Sequence, residues 1–501
     1  MAIGSASVAF REGQLPVAAE STDNLIVVYG YCTLGTTGTL YSFQGASPAD
    51  VVTQLGYGPL AQLVAELMST PGHGPVVAVP CAATAGVLSS VTAAGTSPPT
   101  VTLTGNSVDE FLGRVEIRSA GARGTATFRY SLDYDSANPT AATWSGDIVT
   151  AATYVMDNSG VTLNFAVGSY ATDNVYTFTG AQPTHSDAQI TAGMDAVFAA
   201  GTDFGIGYVV QRPRGVDDAA GVTAMATTFA AVSAKVDTLE STGYKYTLHL
   251  IEAPRPLAAD SSGLATWRGA LTGATAQALA HKRMAIVAGY GRIKSVVDQR
   301  VTRRPVGWRI LQRLSVADIS EKISRVDSGP LPTLLSIEHD EGTTGGLGSG
   351  STGQRYLTCR TWAGKNGFYA ASDPTFASVG SDYSIIVRLR VVNRGAKVLR
   401  NGLLRYVDDT ILADSTTGKI LETEAQHIDE DITQQLVDAL VNSKSRSGKP
   451  HVSSVASRVN RTDAILTTST LTGTAAIQPA GYATAIAFTI GFTGATVSAA
   501  A

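Results

Sequence analysis

The chain has 501 residues, 44% of them hydrophobic and 16% charged, with a formal net charge of -4 and a pI near 6.0. That length suggests about three domains on a ~150-residue prior, and there is enough apolar material for a sizeable core. The near-neutral, slightly acidic balance gives no support for a general nucleic-acid binder.

Fifty-one glycines, with many Thr and Ala, favour strands, turns and loops over a helical bundle. Cys32, Cys81 and Cys359 are an odd, widely spaced set. They are no disulfide framework and fit folding in a reducing compartment. The opening Met-Ala-Ile-Gly-Ser-Ala has no basic stretch leading into an apolar one, so no secretory signal is expected.

Near the start, Ala6, Val8 and Phe10 share one face of a weakly alternating segment, and a polar stretch follows to Asn24. Residues 1–20 are expected to be an extended arm. Residues 25–30 form a short β-branched apolar run with the length of a buried strand. Ser47 and Pro48 make a good helix start, with Ser at the N-cap and Pro in the first turn. A second amphipathic segment runs from Leu60 to Met68, and residues 75–79 read as another buried strand. Strand, helices, strand opens an α/β unit.

Between residues 87 and 182 the pattern changes to short alternating runs at 101–104, 113–117, 126–131, 160–165 and 175–179, separated by turn residues. That spacing predicts an inserted β-sandwich-like domain. The α/β rhythm returns over 183–341. Helices are expected at 187–200, 217–241 and 264–281, and strands at 204–210, 246–251 and 284–288. The α/β domain is therefore discontinuous, 21–86 plus 183–341, and the glycine-rich stretch 342–353 is a loop or linker.

A C-terminal α+β domain is expected over 355–480. Its first helix has an apolar stripe of Ile385, Leu389, Val392, Ala396, Leu399, Leu403 and Val407, with Arg390, Arg394, Lys397 and Arg405 on the opposite side. The second has a stripe of Leu421, Ala425, Ile428, Ile432, Leu436 and Leu440, with Glu422, Glu424, Asp429, Glu430 and Asp431 towards solvent.

After Asp463 no charge occurs. From Tyr482 the even positions Ile486, Phe488, Ile490 and Phe492 are bulky and the odd ones small or polar, a two-residue period. Gln478, Pro479 and several glycines dilute the run, so residues 481–501 read as a strand arm and not as a membrane span. Such a strand needs a partner for its backbone, in its own sheet or in a neighbouring molecule. The fold class is thus mixed α/β and α+β, multidomain, with an inserted β domain and extended terminal arms.

Candidate chemistry is sparse. Glu338, His339, Asp340 and Glu341 cluster, but a strand would put Glu338 and Asp340 on one face and His339 on the other, so a solvated strand end is the expectation. The glycine run lacks a Gly-Lys-Ser/Thr ending and does not join a buried strand to a helix. No HExxH, CxxC or Gly-x-Ser-x-Gly occurs. No motif marks a catalytic, cofactor-binding or metal-binding residue, so none is expected. Arg300, Arg303, Arg304 and Arg309 around Trp308 read as a surface basic patch meeting an acidic protein neighbour.

In residues 381–493 the order of elements resembles the C-terminal domain of contractile tail sheath proteins of bacteriophages. The matching features are the Arg-rich helix from Ile386, the stretch Val407-Asp-Asp to Gly418, the helix from Ile420 to Val441 and the β-rich tail. The arm, α/β domain and inserted β domain are similar to that family's build.

The resemblance implies a non-enzymatic homo-oligomer of stacked rings around a tail tube, capped by baseplate and tail terminator proteins. It implies a place in a virion tail assembled in the host bacterial cytoplasm, with no nucleic acid, cofactor or membrane insertion. Strands would be exchanged between subunits. Val8 and Phe10 would anchor one arm, and Ile486, Phe488, Ile490 and Phe492 the other. Arg390, Arg394, Lys397, Glu422, Glu424, Asp429 and Glu430 would face the tube or a neighbouring subunit. The rival readings are another tail or surface structural protein, and an α/β enzyme for a nucleotide or sugar.

Overall fold

The computed structural model describes residues 22–136, 139–210, 218–256, 260–348 and 355–483. It is a multidomain α+β structure that divides into two compact units, Met1–Lys397 and Val398–Ala501.

A seven-stranded sheet lies at the centre of the first unit. Its strands are ordered Tyr41–Phe43, Val76–Pro80, Ile26–Gly30, Ile206–Val209, Leu248–Glu252, Met284–Val287, Tyr356–Leu357. Only Tyr41–Phe43 runs antiparallel. The central strands are buried on both faces, as their mostly apolar, β-branched runs require.

Side chains alternate between two cores. Ile26 and Val28 meet helices α1 (Pro48–Leu55), α2 (Pro59–Met68) and α7 (Gly307–Val316). Val27 and Tyr29 meet α3 (Asp187–Ala199), α4 (Asp218–Ser241), α5 (Ser261–Leu271) and α6 (Ala274–Gln277). The helix start at Ser47 has a full capping box: Ser47 and Asp50 bond each other's backbone N–H.

Two expectations are corrected. The helix over 264–281 is broken into α5 and α6 at Gly273, which starts α6. The division between units falls after Lys397, not at 355. The two-residue strand Tyr356–Leu357 carries no readable period, yet it is buried and extends the parallel sheet. The stretch after it therefore belongs to the first unit.

Helix α4 is long and apolar enough over Ala219–Ser241 to cross a membrane. Here Val222, Met225, Phe229, Val232 and Val236 recur at three- and four-residue steps and are buried in the core of the first unit.

The insert builds a separate core. A five-stranded antiparallel sheet is centred on Phe111–Ser119, and a three-stranded one on Val161–Phe165. They enclose Val115, Phe128, Leu163, Phe165 and Tyr176. Its entry and exit segments pair at Thr84 with Thr184 and at Leu88 with Gly180.

In the second unit, α9 (Glu422–Val437) packs along a two-stranded antiparallel sheet of Val452–Val459 and Gly473–Pro479. Helix α8 (Ile386–Leu403) spans the division between the units.

His249, in the middle of the sheet, is fully buried beside the Phe204 ring, and its Nε2 has no hydrogen-bond partner. Burial pushes its imidazole down to about 3 from 6.5, with His281 and Arg283 adding to the effect. Below pH 6.5 the unfolded chain takes up a proton that the folded chain refuses, so stability falls as pH drops from 6.5 towards 3. Glu240, held down to about 2 chiefly by its Arg283 hydrogen bond, loses its contribution only below about pH 4.5. The unfolding midpoint should therefore fall between pH 6.5 and 5, and His249→Gln should flatten that segment of the thermal-unfolding profile.

Candidate assembly interface

The terminal hairpin is held from one side only. The Val459 N–H donates to Asp429 Oδ1 at 2.6 Å, and the Ser457 N–H donates to Thr433 Oγ1 at 3.0 Å. Those odd-numbered groups therefore point away from the partner strand, towards α9. In an antiparallel ladder the alternate residues then make the interstrand bonds. Ser454, Ala456 and Arg458 accordingly pair with Gln478, Ala476 and Thr474.

The same alternation turns the N–H and C=O of Ala475 and Ile477 outward. No other described strand pairs with Gly473–Pro479, and all of it is exposed except the half-buried Ile477. One edge of the hairpin is thus filled by helix side chains, and among the described residues nothing pairs with the other.

The acidic residues of α9 are mostly engaged within the second unit. Asp429 pairs with Arg461 at 2.7 Å, and Glu422 pairs with it at 3.2 Å. Asp431 accepts from the Tyr406 hydroxyl at 2.9 Å. Glu430 is exposed and Glu424 partly so. Arg461, the counter-charge for two of these carboxylates, escaped the sequence reading because it lies outside both helices.

The basic face of α8 is corrected more strongly. Arg390 is buried, and its guanidinium donates to the carbonyls of Ala317 and Asp318 at the C-terminus of α7 and to Asn24 Oδ1. There it offsets the negative end of that helix, although burial pushes its pKa down to about 10. Arg394 lies 3.5 Å from Asp23, and Lys397 lies 3.0 Å from Asp203. All three charges are spent within their own unit. Their side of the helix is buried with Ile386, Val387, Leu389 and Val391, while Leu403 and Val407 of the expected stripe are exposed. Val8, Phe10, Ile486, Phe488, Ile490 and Phe492 lie outside the described residues.

The other clusters are also structural. Glu338 pairs with Arg303, Asp340 accepts from the N–H groups of Gly342 and Thr361, and buried His339 bonds Glu341 at 2.9 Å. The cluster is therefore not a solvated strand end; it pins the glycine-rich loop. Nor are the arginines a surface patch. Arg304 and Arg309 are 2% and 0% exposed, paired with Asp109 and Glu66. The missed signal was Gln62 and Glu66 inside the otherwise apolar α2. Among the described residues no group of His, Cys, Asp and Glu could hold a metal ion. Burial pushes the Cys32 thiol up to about 11 and that of Cys81 to about 12, which leaves both protonated at neutral pH.

A family profile described as DUF2586, N-terminal domain, matches residues 3–373. The chain belongs to this family.

No curated protein matches the chain. Among solved structures, this DUF2586 protein matches a chain of the anti-feeding prophage baseplate in its contracted state, at 11% identity and a TM-score of 0.50, over 98% of both chains. A sheath tail protein from Desulfitobacterium hafniense matches at 11% identity and a TM-score of 0.42, over 95% of this chain and 100% of that one. A chain of the six-fold symmetrised anti-feeding prophage baseplate matches at 9% identity and a TM-score of 0.41, over 63% and 76%. The DUF2586 chain thus shares its fold with a chain of a contractile assembly, as the resemblance of residues 381–493 implies.

Removing the Asp429 carboxylate takes away both the acceptor for Val459 and a partner of Arg461. Asp429→Ala should cost about 2 kcal/mol and free the Val452–Val459 edge. Urea unfolding and faster amide exchange at Ser457 and Val459 would register it.

Proposed function

We propose that this protein is a structural subunit of a contractile tail or related injection machine, a sheath component that polymerises into stacked rings around a tube. Subunits join by strand exchange, and contraction to a lower-energy packing drives the tube through a bacterial envelope. Its partners are copies of itself, the tube protein, and baseplate and terminator proteins. It works without catalysis, within a virion tail or a similar particle built in the bacterial cytoplasm.

The single observation carrying this reading is the open outer edge of Gly473–Pro479, in a chain whose sequence also ends in an alternating, charge-free segment. An unpaired edge invites strand addition, with main-chain bonds giving affinity and alternate side chains giving specificity. Ile486, Phe488, Ile490 and Phe492 supply those side chains on this reading, and Val8 and Phe10 do so for the other arm. Glu424 and Glu430 remain as exposed charge for a tube or neighbour. Arg390, Arg394, Lys397, Glu422 and Asp429 drop out of that role because of their internal bonds. The domain plan that goes with this reading is an α/β body carrying an inserted β domain and a smaller assembly unit with terminal arms.

A proline in the outer strand separates this reading from simple misfolding. Ala475→Pro removes an outward N–H and leaves the hairpin bonds of Thr474 and Ala476 intact, whereas Ala476→Pro breaks the hairpin itself. The first variant should be folded and unable to polymerise, and so should a chain lacking residues 481–501. Tubes of normal length from either, in negative-stain micrographs, would falsify the strand-exchange mechanism.

A further inference from the structure

Doubly wound parallel sheets leave a crevice beyond the carboxyl ends of their strands, at the point where strand order reverses, and ligands of α/β proteins bind there. In this sheet the reversal lies between Ile26–Gly30 and Ile206–Val209: the chain first steps outward to Val76–Pro80 and later returns to the other side.

Beyond those ends the space is filled. Gly30 sits so close to its neighbours that a Cβ on it would lie 3.1 Å from that of Val210 and 3.3 Å from that of Leu60. Beside Val210, the side chains of Glu252, Trp308, Arg304 and Glu110 close around a cavity of only about 10 Å³. That is room for one water molecule.

One of the closing groups, Glu110, belongs to a loop of the inserted domain, and its neighbour Asp109 grips Arg304, another of them. Asp109 is 6% exposed, receives both terminal nitrogens of Arg304, and accepts from the Gln62 amide at 2.6 Å. Gln62 in turn accepts from Arg304 at 2.9 Å. Glu110 pairs with Arg255, just past Leu248–Glu252. A carboxylate gripped in bidentate fashion by an arginine beside the switch point is the chemistry by which such a sheet would hold a small anionic ligand.

We propose that the inserted domain plugs the ligand crevice of its own α/β core, the Asp109 carboxylate standing in the Arg304–Gln62 cradle where a free carboxylate-sized anion would otherwise be held. The core depends on that plug. Arg304 has no other carboxylate within ion-pair distance among the described residues and lies over the Trp308 ring. A buried guanidinium stripped of its counter-ion is strongly destabilising, whereas exchanging the whole pair for apolar side chains is often neutral. The insert is then no detachable ornament but the missing wall of the core.

Thermal unfolding of the full-length protein tests both halves. Asp109→Gly should lower the midpoint by about 5–10 °C, and formate at about 0.1 M should restore much of that loss while leaving the parent unmoved. The double variant Asp109→Leu with Arg304→Met should melt within a few degrees of the parent, and it decides the matter if Asp109→Gly does not fold. The dependence is overturned if Asp109→Gly melts with the parent, or if the double variant is as unstable as the single one. The plug is overturned if formate stabilises the parent as much as the variant, which marks an open site. A glycine variant that folds but ignores formate shows that the cradle takes no small carboxylate.

Discussion

The Asp109–Arg304 pair joins two bodies whose apolar cores are otherwise distinct. The insert's core draws only on its own strands, and the core clusters of the parallel sheet contain none of its residues. What crosses between them is charge and hydrogen bonding: Asp109 to Arg304, Glu110 to Arg255, Asp135 to Arg292, and Asp133 to the Val301 N–H at 2.9 Å. Hydrophobic contact is non-directional and would allow the insert to settle in several orientations. Paired charges with fixed geometry, one of them buried, select a single orientation because each wrong seating strands a desolvated ion. The same logic operates one turn further along α2. There Glu66 pairs with Arg309 at 2.8 Å and accepts the Val296 N–H at 3.0 Å, tying that helix to α7 and to the loop that joins the antiparallel strands Tyr290–Lys294 and Val301–Pro305.

Sheet edges obey the complementary rule. At one margin of the parallel sheet a three-residue antiparallel strand, Tyr41–Phe43, ends the pairing, and at the other a two-residue strand does so. Short edge strands of this kind discourage further pairing. The terminal hairpin is built differently. Asp429 and Thr433 cover its inner edge, while the seven residues of Gly473–Pro479 are open on the outer side. Among the described residues the large sheet is blunted in this way and the terminal hairpin is not, and its outer edge is where the proposed strand addition would occur.

Periodic features were legible in the sequence because period reports burial. The alternation in 113–117, the helix start at Ser47 and the stripe of Ala425, Ile428, Ile432 and Leu436 all reappear as structure. What escaped was every case in which a polar side chain is buried by a distant partner. Arg390 has the same helical phase as a solvent-facing lysine, and only the carbonyls of Ala317 and Asp318, some seventy residues earlier in the chain, draw it inside. Likewise the arginine patch did have an acidic neighbour. That neighbour was the chain itself, with Asp109 of the insert for Arg304, Glu338 for Arg303 and Glu66 for Arg309, and no one-dimensional pattern encodes those pairings. Glu66, fully paired within an otherwise apolar helix, was the strongest clue, since a carboxylate is seldom buried without a cation.

If subunits exchange strands as proposed, the strength of that contact bears on how the particle assembles. The outward groups of Ala475 and Ile477 offer only a few main-chain bonds, each worth about 0.5–1.5 kcal/mol. Burying Ile486, Phe488, Ile490 and Phe492 would add about 1.5–3 kcal/mol apiece. Against this stands the ordering of about ten residues, at roughly 1–2 kcal/mol each. Gain and cost are of the same size, so one exchanged arm joins two subunits weakly. On the proposed ring assembly, stability would then come from closure: a subunit gripped by both neighbours in a ring makes its second contact intramolecularly, at a high effective concentration. Weak single joints with strong rings suit an assembly that grows without trapping misaligned subunits and later slides while remaining connected.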